Sequence, residues 1–566
     1  MRATEWLGLS LVTGCIFLGG CGGGSSPALV VSPPSALAYA TGTALYVKGT
    51  AIAPDNPSSR GGSPTAYRVS PALPAGLNLS ESTGVLSGTP TVAAARASFT
   101  VTASNSAGST TAALTITVVA EAPLSPDNLN LIFVASEDLA YHASGDVSSS
   151  TANLTGKGLQ RSLLMASFLQ QDVLGMQNVT SIYALQPMTH LQTASSYPDM
   201  AALETIQQFA MLNQISLPAD SEGVDALTAN SYPLNASYGL DSPSDVATPF
   251  PFCLECQGLD FSDTGGDNEE LVGNILGLKV PGFYVFSAPW ETVSNLLTNV
   301  DQENEYKLAL PSSYKGPNYI YAISVTPSGS ASLVTYNSNV TPPETYPTLP
   351  SPGIATSACS AQQPFTITAA GGISKGMNTG ETVYMVRHAD AHPQGYWEDG
   401  NYVAAGQWRA LDLPNALSGK ISPTQVYSID PSQVIPDPAT HSYWSYVRPS
   451  LTVEPYAIAK GLPYHLVPTI ELIDPDAAQQ TSDFFFKNPT FSGQTVLLGW
   501  EHNHIPPTID ALLASYSSTK TAPSWPSDDY DSIWTVTIDA KGNLTVDNAL
   551  CEGIDSAQLP ATPPRF

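Results

Sequence analysis

Positive charge is the scarcest property of this chain. Its 566 residues hold 20 Lys and Arg against 48 Asp and Glu, a formal net charge of −28. Only 12% of residues are charged, about half the ~25% usual in soluble domains. So few cations exclude nucleic acid, or an anionic membrane surface, as a bulk partner. Beyond the N-terminal segment no apolar run approaches the ~18 residues of a spanning helix. Cysteine is sparse, at 6, and no pair of CxxC motifs exists to build a four-cysteine zinc site. What is there is 42% hydrophobic residues, which argues against wholesale disorder, and 43 Gly with 48 Pro, which implies many turns. The length exceeds the ~100–200 residues of one domain. An acidic chain of this kind that binds an anion must do so with a few placed cations.

The start reads Met1-Arg2, an apolar run from Trp6 to Phe17, then Leu18-Gly19-Gly20-Cys21. A short apolar segment closed by small residues is an export signal. Leu-Gly-Gly-Cys resembles a bacterial lipobox, which implies a signal peptide over 1–20, lipidation of Cys21 and a flexible Gly/Ser tether over 21–31. The expected location is the bacterial cell envelope, held to the membrane through the N-terminal lipid only. An ordinary signal peptide with a coincidental cysteine is the alternative. Four cysteines remain after export. Cys253 and Cys256 offer half a zinc site or a redox CxxC, but two disulfides, Cys253–Cys256 and Cys359–Cys551, are the favoured reading.

From about Ser32 to Val119 the chain is short alternating runs broken by turn residues. Phe99–Ala103 and Ala113–Val118 alternate with period two, the signal of half-buried strands, around the turn Asn105-Ser-Ala-Gly108. "ALPAGLNLSESTGVLSGTPT" with "FTVTASNSAGSTTAALTITV" resembles the Ig-like modules of bacterial surface proteins, which implies a β-sandwich over 32–120. A spacer role is favoured over binding a glycan or protein partner.

Beyond Asn128, strands alternate with helical stretches, the pattern of a parallel α/β sheet, and the region repeats itself. Leu131–Glu137 echoes Val383–Ala389, and Gly158-Leu-Gln-Arg161 echoes Gly406-Gln-Trp-Arg409. Thr180–Pro187 matches Thr424–Pro431, and Ile320–Gly329 matches Ile533–Gly542. The reading is two tandem copies, 128–345 and 376–556, with a linker over 346–375.

The chemistry lies in the second copy, where the apolar strand Val383–Val386 runs into Arg387-His388-Ala389-Asp390. "ETVYMVRHADAHPQ" followed by "AAGQWRALDLPNAL" resembles the histidine phosphatase family, the phosphoglycerate mutase-like superfamily. That resemblance implies a fold of two α/β three-layer (αβα) domains behind the sandwich, no cofactor and no metal. It also implies hydrolysis of a small phosphomonoester through a phosphohistidine on His388. Arg387 would grip phosphate oxygens; Arg448, in Arg-x-x-x-Thr452, resembles the second phosphate arginine, and His502, after Val496–Trp500, the second histidine. The chain departs from the family at Trp500-Glu-His-Asn-His504, because Asn503 stands where a His-Asp acid would place its carboxylate. The leaving-group acid is then sought among Glu501, Asp390 and Glu454, with Glu501 first on proximity. A zinc site from Glu501, His502 and His504 lacks further ligands.

In the first copy Ala135-Ser136 stands at the Arg-His position and Thr189, before Thr193, at the position of Arg448. Its late strand ends in Ala-Pro-Trp-Glu-Thr292, without histidine. That copy is expected to be structural. The other function open to the sequence is a non-catalytic envelope protein that uses the Ig-like and α/β modules for binding or adhesion.

Overall fold

A computed structural model of the chain describes residues 31–213, 215–216, 228–229, 234–236, 258–263, 266–359, 363–369, 376–391, 400–432, 434–437, 442–467 and 477–566. The expected signal, Cys21, Cys253 and Cys256 lie outside these residues. The chain divides into two compact units, up to Val119 and from Ala120 onward.

In the first unit the strands Thr43–Val47, Gly108–Val119, Ala94–Asn105 and Ala66–Ser70 form one sheet in that order. Period-two alternation turns Phe99, Val101 and Ala103 inward, beside Leu114, Ile116 and Val118 of the neighbouring antiparallel strand. Two further hairpin-like pairs, Pro34–Tyr39 with Pro57–Gly61 and Leu77–Leu79 with Leu86–Gly88, supply Leu37, Leu79 and Leu86 to the same core. Gly84, at φ +73°, lies under the Tyr67 ring, where a Cβ would come within 2.5 Å of the ring carbons.

The second unit holds two sheets of the same design. The first runs Leu234–Asn235, Ser181–Ala184, Gly282–Ala288, Leu129–Ala135, Tyr319–Val325, Ala331–Asn337. The second runs Tyr464–Val467, Gln425–Ile429, Thr495–Trp500, Glu381–Arg387, Ser532–Ile538, Leu544–Cys551, and adds Thr366–Ala369 at its edge. Strand directions agree pair for pair: the first four are parallel and the next two antiparallel. Helices follow in step. Gly156–Phe168 (α1), Ala201–Leu212 (α2), Asp267–Leu278 (α3) and Trp290–Glu303 (α4) are matched by Ala404–Ala416 (α5), Arg448–Lys460 (α6), Ala477–Phe486 (α7) and Ile505–Ser515 (α8). The repeats noticed in the sequence are in register: Val134 pairs with Ile320 as Val386 pairs with Ile533.

Separate domains were expected here, and the structure corrects this. Ile132, Leu203, Ile206 and Phe209 of the first half share one core with Leu413, Leu451, Val453 and Tyr456 of the second. The cause is α2, apolar or neutral nearly all round and buried along its whole length, which needs a partner on every side. Polar groups close the seam: Gln207 and Asn401 exchange bonds of 2.8 and 3.0 Å, and Asn153 donates to Leu462 O at 3.0 Å. The stretch expected as linker is likewise built in. Ile367 pairs with Val546, and a disulfide joins Cys359 to Cys551 with Cα atoms 5.6 Å apart. Among the described residues no helix is long and apolar enough to cross a membrane.

Candidate active site

The strand Glu381–Arg387 lies between Thr495–Trp500, parallel to it, and Ser532–Ile538, antiparallel. Arg387 and His388 therefore leave the C-terminal edge of the parallel strands, where open α/β sheets hold ligands. The His388 amide bonds Trp500 O at 3.0 Å. Ala389 N donates to Thr452 Oγ1 at 2.8 Å, and that hydroxyl donates to Arg448 O at 2.7 Å. The strand end is thus tied to the first turn of α6, whose first residue is Arg448. Residue 499 must be glycine for α6 to come so close, since a Cβ would lie 2.8 Å from Val453 and 3.0 Å from Pro449 O. The neighbouring strand runs on into Glu501 and His502, and the rings of His388 and His502 meet edge to face with centroids 6.3 Å apart. One crevice thus collects Arg387, His388, Arg448, Glu501 and His502.

Two residues that the sequence did not reveal shape this crevice. Tyr530 lies over the Arg387 guanidinium at 3.8 Å, and Tyr446 beside that of Arg448 at 4.9 Å. Both tyrosine rings also lie 6.1 Å from His388. Tyr446 stands two residues before Arg448, a spacing that could have drawn notice. Tyr530 comes from the loop ahead of Ser532–Ile538, and nothing in its sequence marks it. The same loop takes Arg387 Nη1 on Ser527 O at 2.6 Å and Asp529 O at 3.2 Å, leaving Nε buried without a hydrogen-bond partner.

His388 is 2% exposed. Its burial, with the positive charges of Arg448 and Arg387, drives its pKa well below the usual histidine value, so the ring is neutral. Nδ1 sits 2.9 Å from Ala389 O. A carbonyl only accepts, so Nδ1 holds the proton and Nε2 keeps the lone pair.

Glu501 was expected as the leading candidate acid, and the structure corrects this. His502 Nδ1 lies 2.5 Å from its Oε1 and His504 Nδ1 2.8 Å from its Oε2. Two backbone amides, of Asn503 and His504, donate to Oε2 as well. Burial pushes the carboxyl up, but the bonds to both histidines and the His502 charge outweigh it and hold it well below the usual range. An ionised carboxylate with no proton to give is an anchor for His502 and His504. Asp390 is engaged by Arg409 Nε at 2.6 Å. Glu454 keeps its proton through burial and the neighbouring Glu204 and Asp199 charges, but these neighbours place it at the seam between halves. None of the three is an available acid.

His388, Glu501 and His502 bring ligand-type atoms within 4.8 Å of one another. Two guanidinium groups press on the same space, so the arrangement suits an anion and disfavours a cation.

In the first half Ala135 and Ser136 end the strand Leu129–Ala135 as Arg387 and His388 end its match. Trp290 stands in place of His502. The position of Arg448 needs correction. Ser287 Oγ donates to Ala202 O at 2.8 Å, just where a Cβ on Gly499 would meet Pro449 O. Ala202 therefore matches Pro449, and Ala201, the first residue of α2, matches Arg448, in place of Thr189. The Arg-x-x-x-Thr spacing had misled because a hairpin precedes α2.

Residues 27–119 match the family described as "Putative Ig domain". The N-terminal region is an Ig-like domain. Among solved structures, human protocadherin-24 EC1-2 is similar at 11% identity and a TM-score of 0.14, over 20% of this chain and 50% of that one. This chain thus spans about half of that fragment. Titin domain M7 is similar at 19% identity and a TM-score of 0.13, over 15% of this chain and 97% of that one. A structure titled as a putative phosphohistidine phosphatase, SixA from Nakamurella multipartitia, matches at 13% identity and a TM-score of 0.18, over 33% of this chain and 94% of that one. No curated protein matches the chain.

Proposed function

We propose that the second half hydrolyses a small phosphomonoester through a phosphohistidine on His388. The observation that carries this is the placement of His388: buried beside Arg387 and Arg448, with Nδ1 2.9 Å from Ala389 O, which leaves the lone pair on Nε2. Arg387 and Arg448 bind the equatorial phosphate oxygens and offset charge as it moves outward. Nε2 attacks phosphorus, the N–P bond forms, and the P–O bond to the leaving group breaks with its electron pair. Water then attacks phosphorus, the N–P bond breaks, and His388 returns neutral with inorganic phosphate released. Glu501 Oε1 lies 2.5 Å from His502 Nδ1 and positions the His502 ring beside His388, where it borders the phosphate site. In the same reading the Ig-like domain spaces this activity from a membrane to which a lipidated Cys21 anchors it.

The test is phosphate release from an aryl phosphate by the purified chain, with acid-free trapping of phosphate on His388 by mass spectrometry. Turnover that survives His388→Ala, or an unlabelled His388 during turnover, overturns the proposal. Because no protonated carboxyl stands in the crevice among the described residues, aryl esters should turn over far faster than alkyl esters, whose leaving oxygen needs a proton.

A further inference from the structure

We propose that the first half binds a divalent transition-metal ion of the zinc class between Asp138, His190 and Asp199. This lies outside the phosphatase reading and belongs to the half that lacks its residues. Asp138 follows the strand Leu129–Ala135, so it stands at the same sheet edge as the crevice of the second half. A hairpin pairs Leu191–Gln192 with Tyr197–Pro198 and closes through Asp199 N to His190 O at 3.1 Å. That closure sets His190 and Asp199 side by side just ahead of α2.

Three ligand atoms converge there. His190 Nδ1 is 2.9 Å from Asp199 Oδ2 and 3.5 Å from Asp138 Oδ2, and all three lie within 4.8 Å of one another. Zinc bonds of about 2.0–2.2 Å put neighbouring ligand atoms roughly 3–3.5 Å apart. The site therefore needs little movement to receive an ion. Each carboxylate is held by its other oxygen: Asp138 Oδ1 takes Ala140 N at 2.5 Å and Asp199 Oδ1 takes Ala201 N at 3.1 Å. The His190 ring is laid flat on Phe261, with centroids 3.6 Å apart. Such outer contacts are what orient metal ligands.

The charges call for a cation. Asp138 is 2% exposed and Asp199 fully buried. Asp138 Oδ2 lies 3.5 Å from the imidazole and shares the space with Asp199 and Glu291. Glu291, in the first turn of α4, adds negative charge to this space, and its Oε2 is buried without a hydrogen-bond partner. Three acidic side chains gather around one imidazole here, an oxygen-and-nitrogen donor set that a divalent ion of the zinc class completes.

The experiment loads the chelator-stripped full chain with Zn²⁺ and with Co²⁺, measuring affinity by calorimetry and ligands by X-ray absorption. A single ion with one imidazole in its shell is expected, with affinity lowered at least about tenfold in Asp138→Asn and unchanged in His388→Ala. No binding by the native chain overturns the proposal and leaves the cluster as a protonated histidine between two aspartates. Two imidazoles in the shell, or loss of binding in His388→Ala, overturns it in favour of the His388–Glu501–His502 cluster. Because imidazole counting uses the native chain, the result stands even if Asp138→Asn fails to fold.

Discussion

The two halves of the second unit keep the same scaffold and differ at the ends of their strands. On α1, Arg161 bonds Asp146 through Nε at 2.6 Å; on α5, Arg409 bonds Asp390 through Nε at 2.6 Å. One turn earlier Gly158 and Gly406 hold the same place, each against the carbonyl of that same aspartate, where a Cβ would collide. These residues let a helix lie against the loop from the central strand, and either half needs them. By contrast Arg387, His388, Arg448 and His502 face Ala135, Ser136, Ala201 and Trp290. Tyr530, by register, faces Pro317. What holds the fold is shared, and what would hold a phosphate is present once. The contrast extends to charge: one crevice presents arginines, the other carboxylates.

The largest expected effect strikes the shared part. Arg409 is fully buried between Asp390 and Glu552, both of which it contacts at 2.6 Å. Arg409→Met leaves two carboxylates without their cation and should cost about 3–5 kcal/mol in urea unfolding. Arg161→Met should cost less, because Arg161 retains some exposure and pairs through fewer charges. Equal losses would break the comparison. Next comes the unshared part. Arg387→Ala and Arg448→Ala should each lower kcat by about 10²–10³-fold, the effect of losing one transition-state donor, with little change in unfolding midpoint. Ser136→Ala should leave turnover unchanged. Activity lost in Ser136→Ala would mean that the first half takes part in the chemistry.

The residues at strand ends were legible because an apolar strand followed by Arg-His is a local pattern, and so were the repeats, since each echo spans one strand or one helix turn. Four features were not. The protonation of Glu501 depends on His502, His504 and two amides converging on it, and sequence proximity says nothing of that. The counterpart of Arg448 was misplaced because the hairpin from Leu191 to Pro198 shifts the start of α2 without disturbing the sheet. Tyr530 reaches Arg387 from a loop whose path only the tertiary structure fixes. The fusion of the halves was hidden too, since an all-buried helix such as α2 reads alike in one domain or at a seam.

That seam predicts a pH effect. Burial raises the Glu204 carboxyl to about 8 and, with the Glu204 and Asp199 charges, raises Glu454 as well. The folded chain therefore holds protons that the unfolded chain releases near pH 4.5. Stability should be fully present below that value and should fall as pH rises toward 8, by on the order of 1 kcal/mol per pH unit. Glu204→Gln should flatten the decline in melting temperature between pH 5 and 9. A decline as steep as in the native chain would show that the two halves do not share this buried pair.

The smallest effect sharpens the contrast between Tyr530 and Pro317. A ring 3.8 Å from a guanidinium at a half-buried site contributes about 0.5–2 kcal/mol, so Tyr530→Leu should lower kcat/KM by roughly 2- to 30-fold. The ring face does the holding, and the hydroxyl is not needed for it. Tyr530→Phe should therefore stay close to the native rate, with the pH profile unmoved. If Phe fails as badly as Leu, the hydroxyl touches the substrate, and Tyr530 belongs among the groups that move protons. If Leu costs nothing, the carbonyls of Ser527 and Asp529 orient Arg387 unaided. The absence of a ring at Pro317 would then follow from local loop geometry and carry no trace of lost phosphate binding.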